Sequence, residues 1–235
     1  MLLDIEEYKP KGDIKMVVSI PHSGTSLNGY DEYLNSNAIE DIDYFVHKLL
    51  NIDVLTKNGI YIVKSNISRS VVDLNRKKSK SFFHWKRNTL GVKNYVKKPI
   101  EENYDHWVEY YEILNNISSK DILLVDLHSM PNLTKKYHFN INPFQNKKRP
   151  NICISDRKNG LLYGKLIKKI FTNKFEKVSI NNPYKGGNIT KHFKNIYKNA
   201  IQIEINRSLY MCEENKELLK KIDITNLLLD ISKLD

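Results

Sequence analysis

Five short apolar runs rich in β-branched residues recur along the chain: MVVSI at 16–20, IYIV at 60–63, ILLVDL at 122–127, ICIS at 152–155 and AIQIEI at 200–205. Each is bounded by polar residues and is short for a buried helix, so each predicts a buried strand. Between them the period changes. Residues 41–50, 100–117, 161–171 and 213–234 place apolar side chains three and four positions apart, which predicts four amphipathic helices, the last opening on an acidic first turn. Strands alternating with helices predict an α/β fold whose sheet is covered on both faces. Stretch 77–99 is polar, basic and aromatic without a clear period, and 140–150 carries two prolines, so both predict long loops. With no internal repeat and no linker, the 235 residues suit one domain over 1–235, since a core grows to roughly 200–250 residues before it divides.

Composition narrows the function. Apolar residues make up 40% of the chain, enough to offset the entropy of folding without a disulfide framework, and the two cysteines, Cys153 and Cys212, are expected to be reduced. No apolar run approaches the ~18 residues of a membrane span. The opening MLLDIEEYKPKGD carries acids where a secretory leader carries bases, so a cytoplasmic location is expected. Lysine and arginine outnumber aspartate and glutamate by 38 to 27, a net of +11. Eleven of those bases against the single acid Asp73 lie in 64–98, a local net of 11 − 1 = +10. Nucleic-acid binding, with Phe82, Phe83, Trp85 and Tyr95 stacking on bases, is one reading of that stretch. A chain rich in Asn, Ile and Lys also puts lysines on solvated surface without a binding role, and that reading is preferred.

Candidate chemistry sits where predicted strands end, the edge at which open α/β sheets place ligands. Strand 16–20 runs into Pro21-His22-Ser23-Gly24-Thr25, and strand 122–127 into His128-Ser129-Met130. Neutral imidazoles ligate zinc, and Asp126, on the same strand face as His128, suits a partner for a ring N–H. A third ligand is offered by Asp43 or Asp41 near the start of predicted helix 41–50, where a carboxylate is equally a helix cap. Arg69, Asn75 and Arg76 flank the apolar Val71-Val72 and suit an acidic substrate, because the planar guanidinium binds carboxylates in a two-pronged fashion; Asp73 is placed to orient one of them. Tyr184-Lys185-Gly186-Gly187 reads as a tight loop whose glycines admit a ligand close to the backbone. Strand 200–205 carries Gln202, Glu204 and Asn206 on one face, and a buried carboxylate is costly unless paired or working.

The blocks PHSGT, SRSVVDLNR, DLHSM, NPYKGGNIT and IQIEINRSLYM, in this order over about 22–211, resemble the N-formylglutamate amidohydrolase family. The resemblance implies a three-layer α/β/α fold around a mixed central sheet, of the phosphorylase/hydrolase-like, zinc carboxypeptidase-like kind. It implies one zinc ion per chain on His22, Asp43 and His128, with Glu204 as general base; on that mechanism Arg69 or Arg76 would stabilise the developing oxyanion. Arg69, Asn75 and Arg76 would bind substrate, with Lys185, Gly186 and Gly187 from the glycine loop and Arg207 and Tyr210 from the last block. The implied reaction converts N-formyl-L-glutamate to formate and L-glutamate; a deacylase for another N-acyl amino acid or a cell-wall peptide amidase is the neighbouring alternative. The chain departs from the family in its lysine-rich segment after Arg76 and in its shortness.

Overall fold

In the computed structural model the residues described are 4–27, 42–78, 103–133, 148–156, 161–219 and 222–234. Seven strands form one mixed sheet: β1 (Ile5–Tyr8), β2 (Met16–Ile20), β3 (Ile60–Ser65), β4 (Leu123–Met130), β5 (Ile152–Ser155), β6 (Val178–Ile180) and β7 (Asn199–Asn206), in the order β1-β3-β2-β4-β7-β5-β6. The four central strands β3, β2, β4 and β7 are mutually parallel. β1 closes one edge antiparallel to β3, and β5 turns antiparallel to β7 before pairing in parallel with β6. All five predicted strands are present, and β4 runs past its predicted end to carry His128 within the strand.

Side chains alternate across a strand, so the register sorts the sheet into two unlike faces. One face is apolar over most of its length: Val18, Ile62, Val125, Ile203 and Ile154 pack with Leu55 of α1 (Ile52–Lys57), Phe171 of α3 (Leu161–Thr172) and Leu228 of α5 (Thr225–Ile231). The other face changes along its length. Val17, Tyr61, Leu124 and Ala200 are covered by Tyr110, Tyr111 and Leu114 of α2 (Asn103–Asn116) and by Ile189 and Phe193 of α4 (Asn188–Phe193). Further towards the carboxyl ends, Ser19, Asp126 and Gln202 stand side by side in register, followed by His128 beside Glu204. The sheet is thus an apolar platform with one polar corner.

Two helix predictions need correction. Over 41–50 there is no α-helix among the described residues but a single 3-10 turn, Val46–Leu49, entered through Phe45 in the left-handed region at φ 63°. Asp43 precedes that turn and its side chain does not cap it. Residues 213–234 are not one helix either: β8 (Met211–Cys212) and β9 (Glu217–Leu218) form a two-stranded hairpin, and only α5 is helical beyond it. The apolar stripe that suggested a longer helix is unburied at its start, Leu219 being 67% exposed, and an unburied stripe supplies little helix stability. Asn215 instead closes a local turn through Glu217, whose amide donates to its side chain at 3.3 Å, and Lys216 takes a left-handed φ of 57°. The predicted loops 77–99 and 140–150 lie outside the described residues except at 77–78 and 148–150. No helix of the described residues is long and apolar enough to cross a membrane.

Ile203 lies wholly buried at the centre of the apolar face, between β4 and β5. Truncating it in Ile203→Ala should cost about 2–5 kcal/mol of unfolding free energy, the usual range for emptying such a site. Urea denaturation checks this, with the midpoint falling at unchanged slope.

Candidate active site

His22, Asp43 and His128 converge at the polar corner, each offering one ligand atom, and the three atoms lie within 4.8 Å of one another. His22 arrives two residues past the end of β2, and its carbonyl accepts the backbone N–H of Asp43 at 2.9 Å, which brings the 42–45 segment onto the site. Asp43 Oδ2 lies 2.9 Å from Nδ1 of His128 and 3.7 Å from Nδ1 of His22. The rings meet edge to face with centroids 4.7 Å apart. All three side chains are buried.

The outward nitrogen of each ring is held by a further carboxylate. Nε2 of His22 lies 2.9 Å from Asp73 Oδ1, and Nε2 of His128 lies 3.0 Å from Asp126 Oδ2. A carboxylate behind each imidazole fixes its tautomer and turns the other nitrogen to the centre, which is the support metal-ligating histidines use. The braces are themselves anchored: Asp73 accepts from the Asn75 amide at 3.0 Å and from Arg69 at 2.7 Å, and Asp126 accepts from Ser19 Oγ at 3.1 Å. Asp43 is held through its other oxygen by Ser129 Oγ at 3.0 Å and Arg207 Nη2 at 3.2 Å.

The electrostatics divide the two imidazoles. Burial, reinforced by the Arg69 guanidinium and opposed by Asp73, lowers His22 to about 4, so it is neutral near pH 7. Burial would lower His128 as well, but Asp126 and Asp43 outweigh it and raise the ring well above its ordinary value. The His128 proton is therefore held between two carboxylates, where a cation on Nδ1 and Asp43 Oδ2 would replace it. Nδ1 of His22 is buried with no hydrogen-bond partner. An orphaned neutral imidazole nitrogen, a second imidazole nitrogen and an ionised carboxylate, all facing one point, fit a divalent metal ion.

Glu204 completes the corner. It is the register partner of His128 on the adjoining strand, buried, with Oε1 accepting from Gln202 Nε2 at 2.6 Å. Burial pushes its carboxyl up to about 7, Asp43 adding to the rise while His128 and Gln202 oppose it. A carboxylate poised there can take up and release a proton near neutrality.

The remaining sequence-predicted residues fall into two groups. Arg69 and half-exposed Arg76 both reach Asp73, at 2.7 and 3.8 Å. Lys185 is exposed on the loop whose next residues are Gly186, at φ 90°, and Gly187. Asn75, Arg207 and Tyr210 face inward instead. The Asn75 amide group lies 3.2 Å from both His128 Nε2 and Gln202 Oε1, while its oxygen accepts the Ile189 N–H at 3.0 Å. Arg207 is spent on Asp43, Ser129 and the Ile42 carbonyl, and the buried Tyr210 hydroxyl donates to the Tyr44 carbonyl at 3.0 Å. These residues hold the 42–45 segment and the helix α4. Asp41 lies outside the described residues, as do Phe82, Phe83, Trp85 and Tyr95, so of the basic stretch only 64–78 is seen, where Lys64 pairs with Glu6 at 3.1 Å and Arg69 and Arg76 with Asp73. Ser19 and Ser129 went unrecognised in the sequence: Ser129 adjoins His128 in the DLHS block, whereas Ser19 sits in a strand where nothing local marks it.

A polar, proton-active centre at the carboxyl ends of parallel strands, with a His-Asp-His group fit for a metal, defines an α/β protein with an enzyme-type site. The comparisons with known proteins supply the family: the N-formylglutamate amidohydrolase family model matches residues 14–211, and the chain belongs to that family of hydrolases. Among solved structures, an N-formylglutamate amidohydrolase from Ralstonia eutropha is similar over 99% of this chain and 98% of its own, with a TM-score of 0.77 at 19% identity. A gene product of Agrobacterium tumefaciens is similar over 97% and 93%, with a TM-score of 0.67 at 16% identity. No curated protein matches the sequence.

Gly187 shows how tightly the corner is packed. A Cβ there would fall 2.2 Å from the Asn75 amide, which its bonds to Gln202 and Ile189 keep in place. Gly187→Ala is expected to lose about 1–3 kcal/mol of stability, the usual cost of overpacking. Thermal melting reads this directly; an unshifted melting temperature would show that Asn75 can move aside.

Proposed function

We propose that the protein is a zinc-dependent hydrolase of the zinc carboxypeptidase-like kind that cleaves the amide bond of a small acidic N-acyl amino acid, first of all N-formyl-L-glutamate to formate and L-glutamate. The single observation that carries the reading is the pair of imidazoles, each with Nε2 on a buried carboxylate and Nδ1 turned towards Asp43, beside Glu204. The whole chain is taken as one catalytic domain.

His22, Asp43 and His128 would hold the ion, which supplies Lewis acidity by polarising the acyl carbonyl and lowering the pKa of water towards ~7. Glu204 takes a proton from the attacking water as the new C–O bond forms. The same carboxyl then gives that proton to the amine nitrogen as the C–N bond breaks, leaving a carboxylate and a free amine. Its value of about 7 suits both roles, since a base that is too acidic would not take the proton and one too basic would not return it. Arg69, whose guanidinium pairs with Asp73 behind His22, would stabilise charge developing on the carbonyl oxygen. Arg76 and Lys185 lie nearer solvent and suit the carboxylates of an incoming acidic substrate. Asn75, Arg207 and Tyr210 serve by fixing the groups that react. The Gly186-Gly187 turn lets backbone come close to the site, and its Gly187 N–H is donated to Gln202 at 2.8 Å.

Activity on N-formyl-L-glutamate, with N-acetyl-L-aspartate and a cell-wall peptide as comparisons, tests the substrate class. Glu204→Gln should retain stoichiometric zinc and lose about a hundredfold or more in kcat, the size of a general-base contribution; near-normal turnover would remove Glu204 from the role. His128→Ala should lose both metal and activity, measured by metal content after dialysis. In the wild type, kcat/KM should rise with pH through about 7 as Glu204 loses its proton, and this limb should be absent from the residual activity of Glu204→Gln.

A further inference from the structure

The loop before Gly187 carries a side chain that the reaction outlined above does not use. Tyr184 is tied to the active-site face of the sheet through its backbone: its carbonyl accepts from Ser155 Oγ at 2.8 Å and Cys153 Sγ at 3.7 Å. Ser155 and Cys153 are the register partners of Gln202 and Glu204. The Tyr184 backbone is therefore held next to the strand pair that carries Glu204, and its phenol lies within electrostatic reach of Glu204, Arg149, Arg207 and Asp43. The side chain is half-buried.

The phenol is aimed by Arg149. Arg149 is buried, its backbone N–H bonded to the Asn132 carbonyl at 2.9 Å and its own carbonyl accepting from Asn206 at 3.3 Å. Its Nη1 donates to the Tyr184 hydroxyl oxygen at 2.7 Å, and the guanidinium carbon lies 5.2 Å from the ring centroid. A phenol oxygen that accepts from a cation keeps its hydrogen for a donation of its own, and the cation makes that hydrogen a stronger donor. Among the described residues no hydrogen bond uses the Tyr184 hydrogen. Such a group beside a general base is built to be met by an anionic oxygen from a ligand.

We infer that Tyr184, aimed by Arg149, is a specificity-determining residue whose hydroxyl donates a hydrogen bond to one carboxylate of the N-acyl amino acid. The inference rests on the proposed hydrolase reading, which puts an acidic substrate in this corner. Tyr184 contacts the substrate; Arg149 is a positioning residue that acts through it. One charge-assisted bond of this kind corresponds to about a ten- to hundredfold change in affinity.

The test compares wild type and Tyr184→Phe on N-formyl-L-glutamate and on its two monoamides, one lacking the α-carboxylate and one the side-chain carboxylate. The phenylalanine variant should lose about ten- to a hundredfold in kcat/KM on the diacid, mostly through KM, with zinc content unchanged. That penalty should vanish on one monoamide and persist on the other. An equal penalty on all three substrates, or none on any, overturns the inference. Arg149→Met should reproduce the pattern in weaker form, and Arg149→Lys should restore part of it. A binding measurement separates this from the reaction itself: L-glutamate should raise the melting temperature of the wild type and fail to raise that of Tyr184→Phe. If glutamate stabilises only the wild type while no N-formyl amino acid is hydrolysed, the hydrolase reading fails and the carboxylate contact stands. If glutamate stabilises both proteins equally, or neither, the contact is refuted.

Discussion

Four carboxylates, Asp43, Asp73, Asp126 and Glu204, are buried around two imidazoles at one corner of the sheet, and compensating that charge dictates much of the surrounding structure. An isolated buried carboxylate costs several kilocalories unless it is paired and hydrogen-bonded. Each is met differently. Asp73 is met by Arg69 and His22, Asp126 by Ser19 and His128, and Asp43 by Ser129, Arg207 and His128. Glu204 has the neutral amide of Gln202 and stays only partly ionised near pH 7. The carboxylate with the weakest compensation is the one with a proton to trade.

The sheet makes this possible through its parity. Because β4 and β7 are parallel and in register, alternate residues of both strands emerge on the same side, and Asp126-His128 stands beside Gln202-Glu204 without help from any loop. The opposite parity is largely apolar, with Ser129 and Lys64 only at strand ends, and packs three helices, supplying stability that the polar corner does not. Stability and chemistry are thus assigned to the two faces of the same strands.

Much of this was legible in the chain, and the reasons are particular. The strands could be read because burial on both faces demands continuous runs such as MVVSI and ICIS, and His22 and His128 could be read because they follow such runs. The elements that escaped are those with little signal of their own. β6 is three residues long, β1 is a four-residue edge strand in which the consecutive Glu6 and Glu7 break the apolar-polar alternation, and α4 is a short helix that depends on Asn75 receiving the Ile189 N–H. The helix read over 41–50 failed because the segment is recruited by tertiary contacts, with Arg207 on the Ile42 carbonyl and Tyr210 on the Tyr44 carbonyl. Such contacts span more than 160 positions of sequence and leave no local period. The inward roles of Asn75 and Arg207 were hidden for the same reason.

The strands β2 and β3 do not part company where the sheet ends. Ser26 donates to the Asn66 carbonyl at 3.0 Å, Ser68 donates back to Ser26 at 2.8 Å, and Gly24 presses so closely on Asn66 that a Cβ would sit 2.3 Å from its backbone. The two exits, one bearing His22 and the other leading to Asp73, consequently travel as a single backbone strut. The spacing between an imidazole and its carboxylate is thus set in part by main chain, and it depends on position 24 having no side chain.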